Sequence, residues 1–179
     1  MLANLFSAIR LTLLLAATAS PAPGAEPDDA PVLLGRLRPA AILGVGPAWK
    51  AERAAYRPDA DAIRTIASNR IRATLDVYLG TWCPDSRREV PRLLRILETA
   101  SPRGLRVRFY GIDRTKEHPA RLVRRVALER VPTLVLTAAG REVGRIVETP
   151  RGPLERDLAD LIARLAPGAP ARGDSGDPR

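Results

Sequence analysis

Thr81-Trp82-Cys83-Pro84-Asp85-Ser86-Arg87-Arg88-Glu89-Val90-Pro91 lies at a change of periodicity in the chain. Before it, Ile71 to Leu79 alternates apolar and β-branched residues and reads as a strand that ends in Gly80-Thr81. After it, Pro84 to Thr99 reads as a helix with Val90, Leu93, Leu94 and Leu97 on one face. Pro91 inside that helix removes one backbone hydrogen bond and predicts a kink. Cys83 therefore stands where a strand gives way to a helix, facing the unpaired N–H groups and positive end of the helix. Both favour a thiolate over a thiol. Arg87 and Arg88 add positive potential and Asp85 opposes it, while Trp82 offers an apolar contact to a partner chain. Position alone leaves a reactive sulfur and a buried structural one equally open.

Outward from this stretch the elements alternate. Trp49 to Tyr56 reads as a short helix, and Asp59 or Asp61 can cap a second one carrying Ile63, Ile66 and Ala67. Leu105, Val107 and Phe109 alternate with Arg106, Arg108 and Tyr110 as a strand. Pro119 to Leu128 reads as a short helix with proline in its first turn. Thr133–Thr137 and Glu142–Glu148 read as strands joined by a turn, and Leu154, Leu158, Leu161, Ile162 and Leu165 mark a last helix stopped by Pro167-Gly168. The β-α-β portion implies parallel strands and the final hairpin an antiparallel edge. The expected fold is an α/β three-layer α/β/α sandwich, with a mixed sheet and a terminal β-hairpin.

The composition narrows the chemistry. The chain has 179 residues, one Cys and one His (Cys83 and His118), so neither an internal disulfide nor a Cys-rich zinc site can form. No cofactor or metal is expected. The formal net charge is +9, and of the 29 basic residues all but Lys50 and Lys116 are Arg. They are scattered, and aromatics are only 4% of residues. A nucleic-acid face needs clustered cations or a known module, so no nucleic-acid partner is expected. The charge reads mainly as solubility, with an acidic partner or membrane surface as the alternative.

Residues 1–25 read as a secretory signal peptide, with a short apolar run after Arg10 and the small-x-small site Ala17-Thr18-Ala19. The run falls short of the roughly 20 apolar residues a span needs, so no stable membrane span is expected after cleavage. Residues 26–40 read as a linker, 41–166 as the folded domain, and 167–179 as a disordered tail. An exported, periplasmic or secreted protein follows.

Thr81-Trp-Cys-Pro-Asp-Ser86 resembles the active-site motif of the thioredoxin superfamily, W-C-x-x-C, with Ser86 in place of the second Cys. Pro91 stands where thioredoxins carry the proline of this helix, and Val131-Pro132-Thr133 resembles their cis-proline loop. The resemblance covers roughly residues 60–166, and Thr81 to Pro91 also resembles a bacterial thioredoxin-like subgroup with a single active-site Cys.

The resemblance implies that Cys83 attacks a disulfide as a thiolate and forms a mixed disulfide. Ser86 cannot resolve it; its hydroxyl either donates to the thiolate or bonds the helix backbone. Trp82, Pro84, Val131 and Pro132 become the substrate-binding residues, with a cis Pro132 and the Val131 backbone paired to a bound peptide; a trans proline opening a strand is the plainer alternative. The family's buried Asp falls at Val77, and Asp76 points to the other face of its strand. Glu89 could stand in for it, although a solvated glutamate is the simpler reading. His118 reads as a surface residue.

Two functions remain. One is a monothiol thioredoxin-like oxidoreductase acting on protein or small-molecule thiols and disulfides, of isomerase or deglutathionylation type. The other is a redox-inactive peptide-binding module. A one-Cys peroxidase is disfavoured, because the Thr or Ser it needs three residues before the cysteine is Gly80 here.

Overall fold

Leu75, Val77 and Leu79 of strand β2 (Ala73–Leu79) point into one large apolar cluster, while Tyr78 joins a separate small one. Alternation thus sorts the strand onto two faces of a sheet. These contacts come from a computed structural model that describes residues 31–166. The signal peptide expected at 1–25 and the tail expected at 167–179 lie outside the described residues.

Among the described residues β1 (Gly35–Leu37), β2, β3 (Leu105–Gly111), β4 (Thr133–Ala138) and β5 (Arg141–Val147) form one five-stranded sheet in the order β1-β3-β2-β4-β5. Helix α4 (Pro84–Ala100) links β2 to the parallel strand β3 (Leu105–Gly111). Strand β4 (Thr133–Ala138) runs antiparallel to β2, and β5 (Arg141–Val147) closes the expected hairpin against β4. Helices α1 (Pro39–Leu43), α2 (Pro47–Ala55), α3 (Ala60–Ser68), α4 and α6 (Leu154–Ala163) feed the large cluster through Ile42, Trp49, Ile66, Leu93 and Leu158. Among the described residues, only α5 (Ala120–Arg125) lies against the other face, through Leu122 and Val123. The mixed α/β sandwich is the one read from the sequence, with unequal outer layers.

Two local expectations change. The 26–40 stretch is not all linker: Gly35–Leu37 forms edge strand β1, paired antiparallel with β3 from Gly111 back to Phe109. Its backbone supplies the pairing, and only Leu37 of its three residues is buried, so no alternation advertises it. A Cβ at Gly111 would lie 2.0 Å from the Leu33 carbonyl oxygen, so glycine there lets the entering chain cross close over β3. Helix α5 is shorter than the expected 119–128. Pro119 caps it rather than joining it, and Ala127, at φ 47°, sits in the left-handed region that stops it. Helix α4, by contrast, runs through Pro91 as read from the sequence, reaching Ala100 and ending at Ser101, also left-handed at φ 44°.

Candidate functional site

Cys83 is the N-cap of α4, and its own amide donates to the Gly80 carbonyl at 3.0 Å. That turn sets the sulfur at the start of a 17-residue helix, under its unpaired N–H groups. The side chain is buried, 6% exposed, in the small cluster with Tyr78, Ile112, Leu128, Val131 and Val135. Its thiol donates to the Val131 carbonyl at 3.1 Å. The Val131–Pro132 peptide is cis. The candidate substrate-binding residue Val131, 48 positions away, thus sits directly against the sulfur. The Pro132 carbonyl is occupied by the Glu148 N–H at 2.7 Å, whereas the Val131 N–H makes no hydrogen bond among the described residues.

Trp82 lies beside the site, half-buried, with its indole N–H donating to the Ile112 carbonyl at 3.0 Å. Its ring lies over Gly80, where a Cβ would come within 2.6 Å of it, and the Arg114 guanidinium stands 5.7 Å from its centre. Pro84 is exposed beyond the sulfur. Trp82 and Pro84 flank Cys83 in the chain, and the Val131 carbonyl meets its sulfur.

Ser86 is wholly buried, and its hydroxyl oxygen accepts the Gly80 N–H at 3.2 Å. It makes no hydrogen bond to the sulfur. Of the two readings left open for Ser86, the backbone-bonding one is present: it locks the strand end to the first turn of the helix. The two arginines of that turn also differ. Arg88 is held by Asp85, Glu89 and Thr149, while Arg87 makes no ion pair among the described residues.

Glu89 is not the solvated residue its sequence position suggested. It is 3% exposed, with Oε1 bonded to Arg88 at 2.6 Å and 3.5 Å from Arg92. Its Oε2 is buried with no hydrogen-bond partner among the described residues. Beside this carboxylate, Tyr56 donates to the buried Glu155 at 2.6 Å, and the Arg92 guanidinium lies 5.1 Å from the Tyr56 ring centre. Burial, then the bond to Glu155, holds the Tyr56 hydroxyl well above its ordinary range.

Asp76 faces the side away from Val77, as its register required. It is 4% exposed and makes two 2.5 Å bonds to Arg108, its direct cross-strand neighbour on β3. Its charge is committed to that pair rather than to the sulfur. Nearby, burial and then Asp76 push the Tyr78 hydroxyl up to about 12.

His118 is exposed, as expected. Its loop is fastened by Asp113, which accepts the backbone N–H groups of Glu117 and His118 at 2.9 Å each. Burial works against the Asp113 carboxylate, yet the Thr115 hydroxyl and those N–H groups hold it below the usual carboxylate range. One neighbour of the site went unread. Thr81, next to Trp82, accepts the Leu33 N–H at 3.2 Å and donates to the Pro31 carbonyl at 2.5 Å. The entering chain is thereby bonded to the residue that precedes the motif's Trp-Cys pair.

Among the described residues, no group of three or more His, Cys, Asp or Glu side chains is placed to hold a metal, and no helix is long and apolar enough to cross a membrane. No protein-family model and no curated protein matches the chain. Among solved structures, a protein of unknown function from Pseudomonas aeruginosa is similar over 74% of this chain and 92% of its own, at 20% identity and a TM-score of 0.55. An HIV epitope scaffold matches over 74% and 93%, at 19% identity and a TM-score of 0.54. The thioredoxin of Fasciola hepatica matches over 60% and 93%, at 20% identity and a TM-score of 0.40. The mixed five-stranded α/β sandwich is consistent with a thioredoxin-like fold, and identities this low speak to the fold alone.

Proposed function

We propose that this is a monothiol thioredoxin-like protein that exchanges disulfides through Cys83, without an internal resolving thiol. One observation carries the reading: the chain's single cysteine caps a 17-residue helix with its sulfur 3.1 Å from the carbonyl that precedes cis Pro132. The cap position sets the sulfur beside the unpaired N–H groups of the helix's first turn. The adjacent Val131 N–H is open to pair with an extended substrate backbone, beside Trp82 and Pro84.

The exchange has two steps. The Cys83 thiolate attacks one sulfur of a substrate R–S–S–R′; the S–S bond breaks, Cys83–S–S–R forms, and R′S⁻ leaves and takes a proton from solvent. A second thiolate, from a small thiol or from the substrate itself, then attacks the sulfur of R. The bond to Cys83 breaks, its thiolate returns, and a new disulfide is released. Ser86 cannot perform the second step, so the chemistry is of isomerase or deglutathionylation type. The leader read at residues 1–25 would place this activity in an exported protein, where disulfides persist.

The test supplies a glutathionylated peptide with excess glutathione. The full chain accelerates release of the peptide thiol, and Cys83→Ser does not. Equal release with both proteins overturns the assignment. The burial of Cys83 and the bond from its thiol to Val131 favour a second reading, a peptide-binding module without turnover. In that case Cys83→Ser binds peptide as tightly as the parent chain.

A further inference from the structure

We infer that a cleft on the thinly covered face of the sheet, at the far end from Cys83, binds a compact polyanion carrying two or more linked phosphoryl groups. The cleft has a volume of about 660 Å³ and lies over the starts of β2 and β3 and the β4–β5 turn. Arg72, Arg103, Arg106, Arg108 and Arg125 line it, together with Thr137. Arg108 is neutralised by Asp76. Arg72, Arg103, Arg106 and Arg125 are exposed and make no ion pair among the described residues. Four uncompensated guanidinium groups around one hollow repel one another, and an anion seated among them removes that repulsion.

The lining selects the anion. Guanidinium groups present planar forks of donors that match phosphoryl oxygens in pairs, each bond strengthened by charge. Several linked phosphoryl groups supply the charge that four arginines call for, whereas a single carboxylate does not. No aromatic side chain lines the cleft, and its apolar lining is confined to Leu105 and alanines. A nucleobase finds no aromatic ring to stack on there. Its volume falls within the roughly 300–1,000 Å³ of small-ligand sites, which favours a compact ligand over a long strand. Helix α5 is only six residues long, which leaves this part of the sheet uncovered. Seven-residue β2 alone spans roughly 20 Å, so the cleft is separate from the sulfur site.

Calorimetric titration of the full chain with tripolyphosphate at about 0.15 M salt tests this. Expected is saturable one-to-one binding in the micromolar range, with orthophosphate far weaker. Arg103→Ser with Arg106→Ser weakens tripolyphosphate binding by about tenfold or more, because each side chain removes charge-assisted hydrogen bonds. Arg38→Ser with Arg64→Ser, an equal charge change elsewhere, alters it less than about twofold. Thermal melting checks that both variants fold. Absence of saturable binding, equal loss in both variants, or equal affinity for orthophosphate overturns the proposal. So does a single-stranded oligonucleotide that binds more tightly and is indifferent to the Arg103 and Arg106 changes. Thiol exchange at Cys83 is measured separately, so failure of either reading leaves the other standing.

Discussion

On one face of the sheet, Leu75, Val77 and Leu79 lie under α2, α3, α4 and α6; on the other, Tyr78 meets α5 and the loop around Val131, and Asp76 pairs with Arg108. The first face is closed by interlocking aliphatic side chains. The second holds a half-buried ion pair, two stacked tyrosines with ring centres 5.3 Å apart, a thiol and an arginine-lined hollow. Stability gathers where the cover is thick. Groups that can meet a ligand gather where it is thin. The comparison yields separable effects.

The largest is expected on the thick face. Leu93→Ala removes a fully buried side chain of α4 and costs about 2–5 kcal/mol in urea unfolding. The chain that remains folded keeps its Cys83 exchange rate. A parallel loss of that rate in the folded fraction would break the division between the faces.

Next is the ion pair on the thin face. Asp76→Ala strands Arg108 against the sheet. Breaking a fully buried pair costs about 3–5 kcal/mol; Arg108 keeps 27% of its side-chain exposure, so about 2–3 kcal/mol is expected here. A cost below about 1 kcal/mol would mean that water already screens the pair as it does a surface one.

A smaller effect separates the site from its support. Gly80→Ala drives a Cβ to within 2.6 Å of the Trp82 ring, which the Ile112 carbonyl holds in place. A loss of about 1–3 kcal/mol is expected, with a shift in tryptophan emission as the ring moves. Unchanged emission would show that the ring's position does not depend on Gly80.

The smallest lies at the start of α3, away from both sites. The Ala62 N–H, followed by Arg156, holds the Asp59 carboxylate below its ordinary range. A carboxyl depressed in the folded chain stabilises it above about pH 4, and that contribution fades as pH falls through the lower folded value. Asp59→Ala therefore destabilises the chain at neutral pH, and the gap to the parent closes in acid. A gap that persists unchanged at low pH would assign the effect to helix propensity instead.

Much of this division was legible in the sequence. The alternation in 71–79 and 105–110 and the helical face of Val90, Leu93, Leu94 and Leu97 place the strands and their covering helix. The Cys83 turn and Val131-Pro132 locate the site from both sides. What escaped depends on partners distant in the chain. Glu89 looks solvated until Arg88 and Arg92 close over it beside Tyr56. Asp76 acquires its meaning from the register that sets Arg108 opposite it. The choice of Ser86 for the Gly80 amide is made by the turn geometry, not by residue type. Strand β1 rests on backbone pairing and a single buried leucine, which no periodicity can announce. The arginine hollow draws on residues spread from 72 to 125, and only the sheet assembles them.

The central claim concerns the sulfur, and the most direct measurement is the rate at which Cys83 forms a mixed disulfide with glutathione disulfide at neutral pH. It is followed by intact mass in the folded chain and in the same chain unfolded in urea. The helix end and the open Val131 amide predict that the folded chain reacts faster, by about tenfold or more. A folded chain that reacts more slowly than the unfolded one, or only after unfolding, would contradict the account and make Cys83 a packed element of the core.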